Sequence, residues 1–172
     1  ATARTRPAPS IALQVSDAEV VWAAYFLADG CAQSRTWCSG NAARADEYAA
    51  CVESLGAHPT DPFRRWYEKG AHYVHGRRLR KHIDHWELNA LSKDKRLPSL
   101  VWRLADRQLA LFLNRFFASD GYVSPRRAML EVPIESEGLV ADLQDALLRF
   151  GVRSRYSYKQ AAHTHNGERR TA

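Results

Sequence analysis

A chain of 172 residues with 45% apolar and 26% charged residues has the composition of one globular domain or of two joined half-domains, not of a disordered chain. Its 25 Lys and Arg outweigh 19 Asp and Glu, and the resulting net charge of +6 favours an anionic partner. Three cysteines without a C-x-x-C pair argue against a disulfide framework and a structural zinc site, and the longest apolar run, Val20 to Ala28, falls far short of the ~18 residues a membrane span needs.

Residues 1–10, with Pro7 and Pro9 and no apolar core, read as a flexible lead-in rather than a signal peptide. The chain begins without Met and is expected to be a soluble, cytoplasmic piece of a longer protein. Ser16 or Asp17 caps an apolar helix, EVVWAAYFLA, that stops at Asp29-Gly30, where glycine is expected to take a left-handed turn. A strand-like stretch from Cys31 to Cys38 follows, then a helical pattern to Gly56 and a Pro-containing loop. Residues 64–86 mix aromatics, His and Arg, with strand-like pieces such as AHYVHG.

A second block opens after Pro98. The pattern ADRQLALFLNRFFAS predicts a helix halting at Asp120-Gly121. Two short strands turned about Ser124-Pro125 follow, and then an amphipathic helix with Leu139, Leu143, Leu147 and Phe150 on one face, closed by Gly151. VRSRYSY reads as a strand, and residues 161–172 as a disordered tail. The two blocks repeat one order of elements, which predicts an α+β fold of two αββα-type half-domains with antiparallel sheets about a pseudo-twofold axis. Their bounds are 11–104 and 105–160, with the second half truncated.

A carboxylate at a helix C-terminus lies in the unfavourable end of the helix dipole. If two such helices pack side by side, Asp29 and Asp120 meet and repel unless a cation lies between them, and their hard oxygens suit Mg²⁺. Two water-exposed polar caps are the other reading.

WAAYFLADG (22–30) and LNRFFASDG (113–121) resemble the paired LAGLIDADG motifs of homing endonucleases, as arranged within inteins. KRLP (95–98) is similar to the family's Lys-x-Ile-Pro block, and SEGLVADLQDALLRFGV (136–152) to its Leu-rich helix. The wording around the second motif is closest to replicative DNA helicase inteins. The resemblance implies a monomeric, site-specific endonuclease making metal-dependent double-strand breaks, with Mg²⁺ as cofactor and a host splicing domain in the parent protein. It implies that Asp29 and Asp120 are metal-binding catalytic acids and that Lys95 assists the attacking water. Lys159 is the candidate for a second lysine. A catalytically inactive DNA-binding module of the same fold, maturase-like or regulatory, is the alternative.

Charge placement indicates where DNA would lie. Residues 61–86 carry seven Lys or Arg against three acids, and 149–170 six against one, whereas 131–148 carry five acids and no bases. Basic charge on strands and loops, with an acidic helix, fits a duplex held on the sheet face. The candidates are Arg35, His75, Arg77, Arg78, Arg80 and Lys81 in the first half, and Arg126, Arg127, Arg153, Arg155, Tyr158 and Lys159 in the second. His72, His75, His82 and His85 crowd one segment but lack ligand spacing for a metal. The five Trp read as core. Arg115 occupies the third motif position, where Ala24 in the first copy is small; it is expected either to shift the helix seam or to turn outward, loosening the packing.

Overall fold

The computed structural model describes residues 13–56, 64–125 and 128–159, together with the strands 162–165 and 168–171. Helix α1 (Asp17–Asp29) starts where the Ser16 side chain accepts from the Glu19 backbone N–H, and Val20 to Leu27 are buried all round it. A helix apolar on every side belongs at the centre of a molecule. Helix α4 (Asp106–Asp120) is its neighbour, and the two share the largest interface in the fold. Arg107 and Gln108 at the start of α4 bond Asp17 at the start of α1, while Ser119 near the end of α4 bonds Asp29 at the end of α1. The helices therefore run parallel, end matched to end. Trp22, Tyr25 and Phe26 from α1 and Leu109, Phe112 and Phe116 from α4 are almost wholly buried in the core.

After α1 the chain makes the hairpin β1 (Gly30–Cys31) and β2 (Thr36–Ser39), then α2 (Ala42–Ser54), capped by Asn41. The expected single strand from Cys31 to Cys38 is thus two strands about a turn in which Arg35 takes φ +55°. A second hairpin, β3 (Arg64–Glu68) and β4 (Ala71–His75), joins β2 through β4, giving one antiparallel sheet in the order β1-β2-β4-β3. Trp37 and Val74, opposite each other in the register, are buried on the face towards the helices. Residues 79–85 form α3 (Leu79–His85), which the sequence reading missed.

In the second block α4 is followed by β5 (Tyr122–Ser124) and β6 (Met129–Glu131), then by α5 (Glu137–Leu148), as expected. The strand expected at VRSRYSY is exposed chain without regular secondary structure, and two strands occur instead in the stretch read as a disordered tail: β7 (Ala162–His165) and β8 (Glu168–Thr171). His165 pairs with Glu168, so two residues intervene. They are Asn166-Gly167, a strong dipeptide signal for a two-residue hairpin, which outweighs the polar composition around it. Both blocks therefore run α-β-β-α-β-β; the first goes on to α3, and among the described residues the second, expected to be truncated, has no helix to match it. The expected α+β architecture, mixed helix and antiparallel sheet, is what the structure has.

The glycines after the two central helices are not left-handed. Gly30 and Gly121 have φ −78° and −79°. Glycine is required there by space, because a Cβ would lie 2.4 Å from the Phe26 carbonyl oxygen and 2.2 Å from that of Phe117. Gly56 and Gly151, which end the amphipathic helices, do take positive φ, at +97° and +71°.

Candidate active site

Parallel packing of α1 and α4 brings Asp29 and Asp120 together at one end of the bundle, with their carboxyl groups in hydrogen-bonding contact. The Ser119 hydroxyl donates to Asp29, while Asp120 is half-buried. Burial first, and the Asp29 charge second, push the Asp120 carboxyl up to about 6. Two neighbouring carboxyls, one of them half-buried, at the negative ends of two helices form a site short of positive charge.

Lys95 answers part of that need. Its Nζ donates to the carbonyl oxygens of Leu27 (2.6 Å) and Ala28 (2.8 Å), satisfying the last turn of α1. Burial lowers the ammonium's pKa, and the charges of Asp120 and Asp29 oppose that shift. The loop bearing Lys95 is clipped in place from the second half. Ser136 Oγ, the N-cap of α5, donates to the Lys95 carbonyl, and Asp142 accepts from both Arg96 (2.6 and 2.7 Å) and the Leu97 N–H (3.0 Å). A cleft of about 400 Å³, lined by Gly30, Cys31, Gln33, Leu91 and Lys95 among others, opens beside the lysine.

The donor set suits a hard divalent cation. Two carboxylates offer hard oxygens that a divalent cation would hold ionised, which suits Mg²⁺ better than the thiols of Cys31 and Cys38 nearby suit it. Among the described residues no cluster of three or more His, Cys, Asp or Glu is arranged to hold a metal. A cation here would depend on the two aspartates together with water or phosphate oxygens. The four histidines of 72–85 do not gather: His75 Nδ1 lies 2.8 Å from the Ser34 carbonyl, while His82 lies against Glu19 and Trp22.

Arg115 does not disrupt the seam. It turns towards α2, where Glu47 receives its guanidinium (2.7 to 3.0 Å) and also accepts the Tyr25 hydroxyl at 2.7 Å. Burial alone would raise the Glu47 pKa, but these donors outweigh it and hold the carboxylate ionised.

The sheet face away from the helices runs up to the carboxylate pair. Arg64, Thr36 and His75 share one register row, and Trp66, Cys38 and Tyr73 the next. The Asp29 charge reaches the Cys38 thiol, whose pKa burial first and that charge second push up. Trp66 is 38% exposed and stacks flat on Tyr73, with centroids 5.2 Å apart. Trp66 thus departs from the expectation of core, whereas Trp22, Trp37 and Trp86 are wholly buried. Arg64, Trp66 and Tyr73 were missed as candidates; strict alternation about the buried Trp37 and Val74 would have found them.

The DNA-binding candidates scatter in kind. Arg35 sits in the β1–β2 turn and His75 at the end of β4; Arg77 and Arg78 are exposed just before α3. Arg80 and Lys81 lie on α3 rather than on a strand or loop, and Arg80 is paired with Asp84 at 3.0 Å. Arg153, Arg155, Tyr158 and Lys159 lie exposed in the irregular segment after α5, where Lys159 pairs with Glu131 (3.3 Å). That pairing places Lys159 beside β6 and not among the groups around the aspartates. Glu137 beside Tyr158 raises its phenol pKa. Arg126 and Arg127 lie outside the described residues.

Comparison with known proteins bears on this geometry. Residues 107–171 match the family model described as a LAGLIDADG-like domain, which is less than half of the chain. The ATP-dependent DNA helicase Hel308 of Methanocaldococcus jannaschii is 39% identical over 84 residues, covering 49% of this chain. The probable translation initiation factor IF-2 of Thermococcus kodakarensis is 34% identical over 64 residues, covering 37%. The matched segments span only 7% and 6% of those two relatives. The α+β architecture is consistent with the LAGLIDADG fold. No helix among the described residues is long and apolar enough to cross a membrane.

Proposed function

We propose that this chain, which carries a LAGLIDADG-like domain over residues 107–171, is a site-specific homing endonuclease that makes double-strand breaks in DNA. The observation that supports it best is the contact between the Asp29 and Asp120 carboxyls where two parallel helices end. In this reading each aspartate serves one DNA strand and the pair holds Mg²⁺. The metal would supply Lewis-acid stabilisation of charge on the phosphodiester. Lys95, fixed by the α1 carbonyls, stands where it can orient water and offset charge on the scissile phosphate. The outer sheet face, with Arg64, Trp66, Tyr73 and His75, takes the duplex, since strands fit the major groove.

The relatives support an intein origin. A helicase and a translation initiation factor do different work, yet each shares with this chain a segment that is a small fraction of its length. A segment common to such unlike hosts behaves as an insert, and the natural target would be the host's coding sequence without it. A second reading, a DNA-binding module that no longer cuts, is favoured by one observation: no lysine matching Lys95 stands at the end of α4 among the described residues.

The test is a supercoiled plasmid carrying the flanking coding sequence joined without the insert, incubated with protein and Mg²⁺. Wild type is expected to linearise it. Asp29→Asn and Asp120→Asn are each expected to slow double-strand cleavage by about 10²–10³-fold or more, with little change in gel-shift affinity. Undiminished cutting by either variant removes the assignment, and DNA that wild type shifts but leaves uncut selects the second reading.

A further inference from the structure

The ends of α1 and α4 are equivalent in backbone but not in what attends them. Gly30 N–H bonds the Phe26 carbonyl and Gly121 N–H the Phe117 carbonyl in the same way. At α1 the last free carbonyls are taken by Lys95, on a loop held by the N-cap of α5. At α4 the visiting cation is Arg44, whose Nη1 donates to the Ser119 carbonyl at 3.5 Å from the third position of α2. Burial first and the Asp29 charge second raise the Asp120 pKa; Lys95 and, after it, the Arg44 guanidinium oppose that shift and favour the ionised carboxylate. Each central helix is thus met by the second helix of the opposite half, α5 through Ser136 on one side and α2 through Arg44 on the other. The exchange is symmetric in placement and unlike in chemistry. Position 139 of α5, which corresponds to Arg44 by distance from the cap, is a buried Leu.

We propose that Arg44 is the cationic positioning residue for Asp120, taking the place of a second lysine, so that the two DNA strands are served by unlike groups and cut at unequal rates. This rests on the nuclease reading above. Lys95 is a rotatable point charge close to both carboxylates. Arg44 is a planar fork on a helix; it acts through the α4 terminus and Asp120 rather than on the reacting atoms. The strand that depends on Asp120 is the slower one.

The experiment uses the same supercoiled plasmid, now with each strand followed separately by strand-specific end labels. Wild type is expected to pass through a nicked circle cut mainly in one strand. Arg44→Ala should slow the second strand about tenfold more than the first, so that nicked circle accumulates. Arg44→Lys should restore most of the second cut, whereas Lys95→Met, which removes a charge close to both carboxyls, should slow both strands. Affinity for the plasmid target in Ca²⁺, read by gel shift, should stay within about twofold of wild type for Arg44→Ala. Equal slowing of both strands by Arg44→Ala, no slowing by it, or failure of Arg44→Lys to recover the second cut overturns this assignment alone. A wild-type protein that binds the plasmid and nicks neither strand overturns the nuclease reading and this one with it.

Discussion

Asp120 carries a measurable consequence by itself. Its carboxyl is pushed from its ordinary 3.8 to about 6 in the folded protein. Between those values the folded chain holds a proton that the unfolded chain has released, so stability falls as pH rises from about 4 to about 6. Above pH 6 the ionised Asp120 carboxylate, half-buried beside Asp29, opposes folding. In chelator, Asp120→Asn should therefore stabilise the protein at pH 7.5 by about 1–2 kcal/mol, a figure reduced for partial exposure. The gain should fade towards pH 4, where the wild-type carboxyl is already neutral. Calorimetric melting from pH 4 to 8 checks both the sign and the window, and a variant that melts lower at pH 7.5 contradicts it. Stability given up at neutral pH is consistent with a site arranged for a cation rather than for folding.

At the scale of elements, the two Gly ends set how closely the chain can turn from helix to strand. Gly30→Ala and Gly121→Ala drive a methyl into a helix carbonyl and should each cost about 2–3 kcal/mol by overpacking. Gly40→Ala meets nothing closer than 3.8 Å and should be near neutral, as chemical denaturation would show. The sequence marked all four helix-ending glycines, but not that two serve by small size and two by backbone freedom. The central helices were legible because apolar runs with capping signals need no distant partner. Helix α3 was not: LRKHIDH is short and mostly polar, and its helical state depends on Leu79 and Ile83 finding the core. The β7–β8 hairpin is masked by a polar composition, and the Asn-Gly pair between its strands is the local signal for it.

Across the whole molecule, the meeting of Asp29 and Asp120 was legible because a repeated motif fixes both the helix packing and the residue at its end. Arg44 and Ser119 were not, since nothing in a linear pattern says which helix start will face which helix end. The basic surface is likewise less segregated than sequence blocks implied: Arg80 and Lys81 ride on a helix, and Arg80 and Lys159 already have acidic partners. If six other bases contact phosphates, duplex affinity should fall about 10³-fold between 50 and 200 mM salt. A flat response in a fluorescence-anisotropy salt titration removes DNA as the partner of this surface. The stretch Lys95-Arg96-Leu97 has a final consequence. It gives its side chains to one repeat and to the other alternately, Nζ to α1 and the Arg96 fork to α5. A chimera made by grafting either repeat onto a foreign mate would have to transplant this tripeptide with its Asp142 receptor, or leave a buried carboxylate and an uncapped helix at the seam.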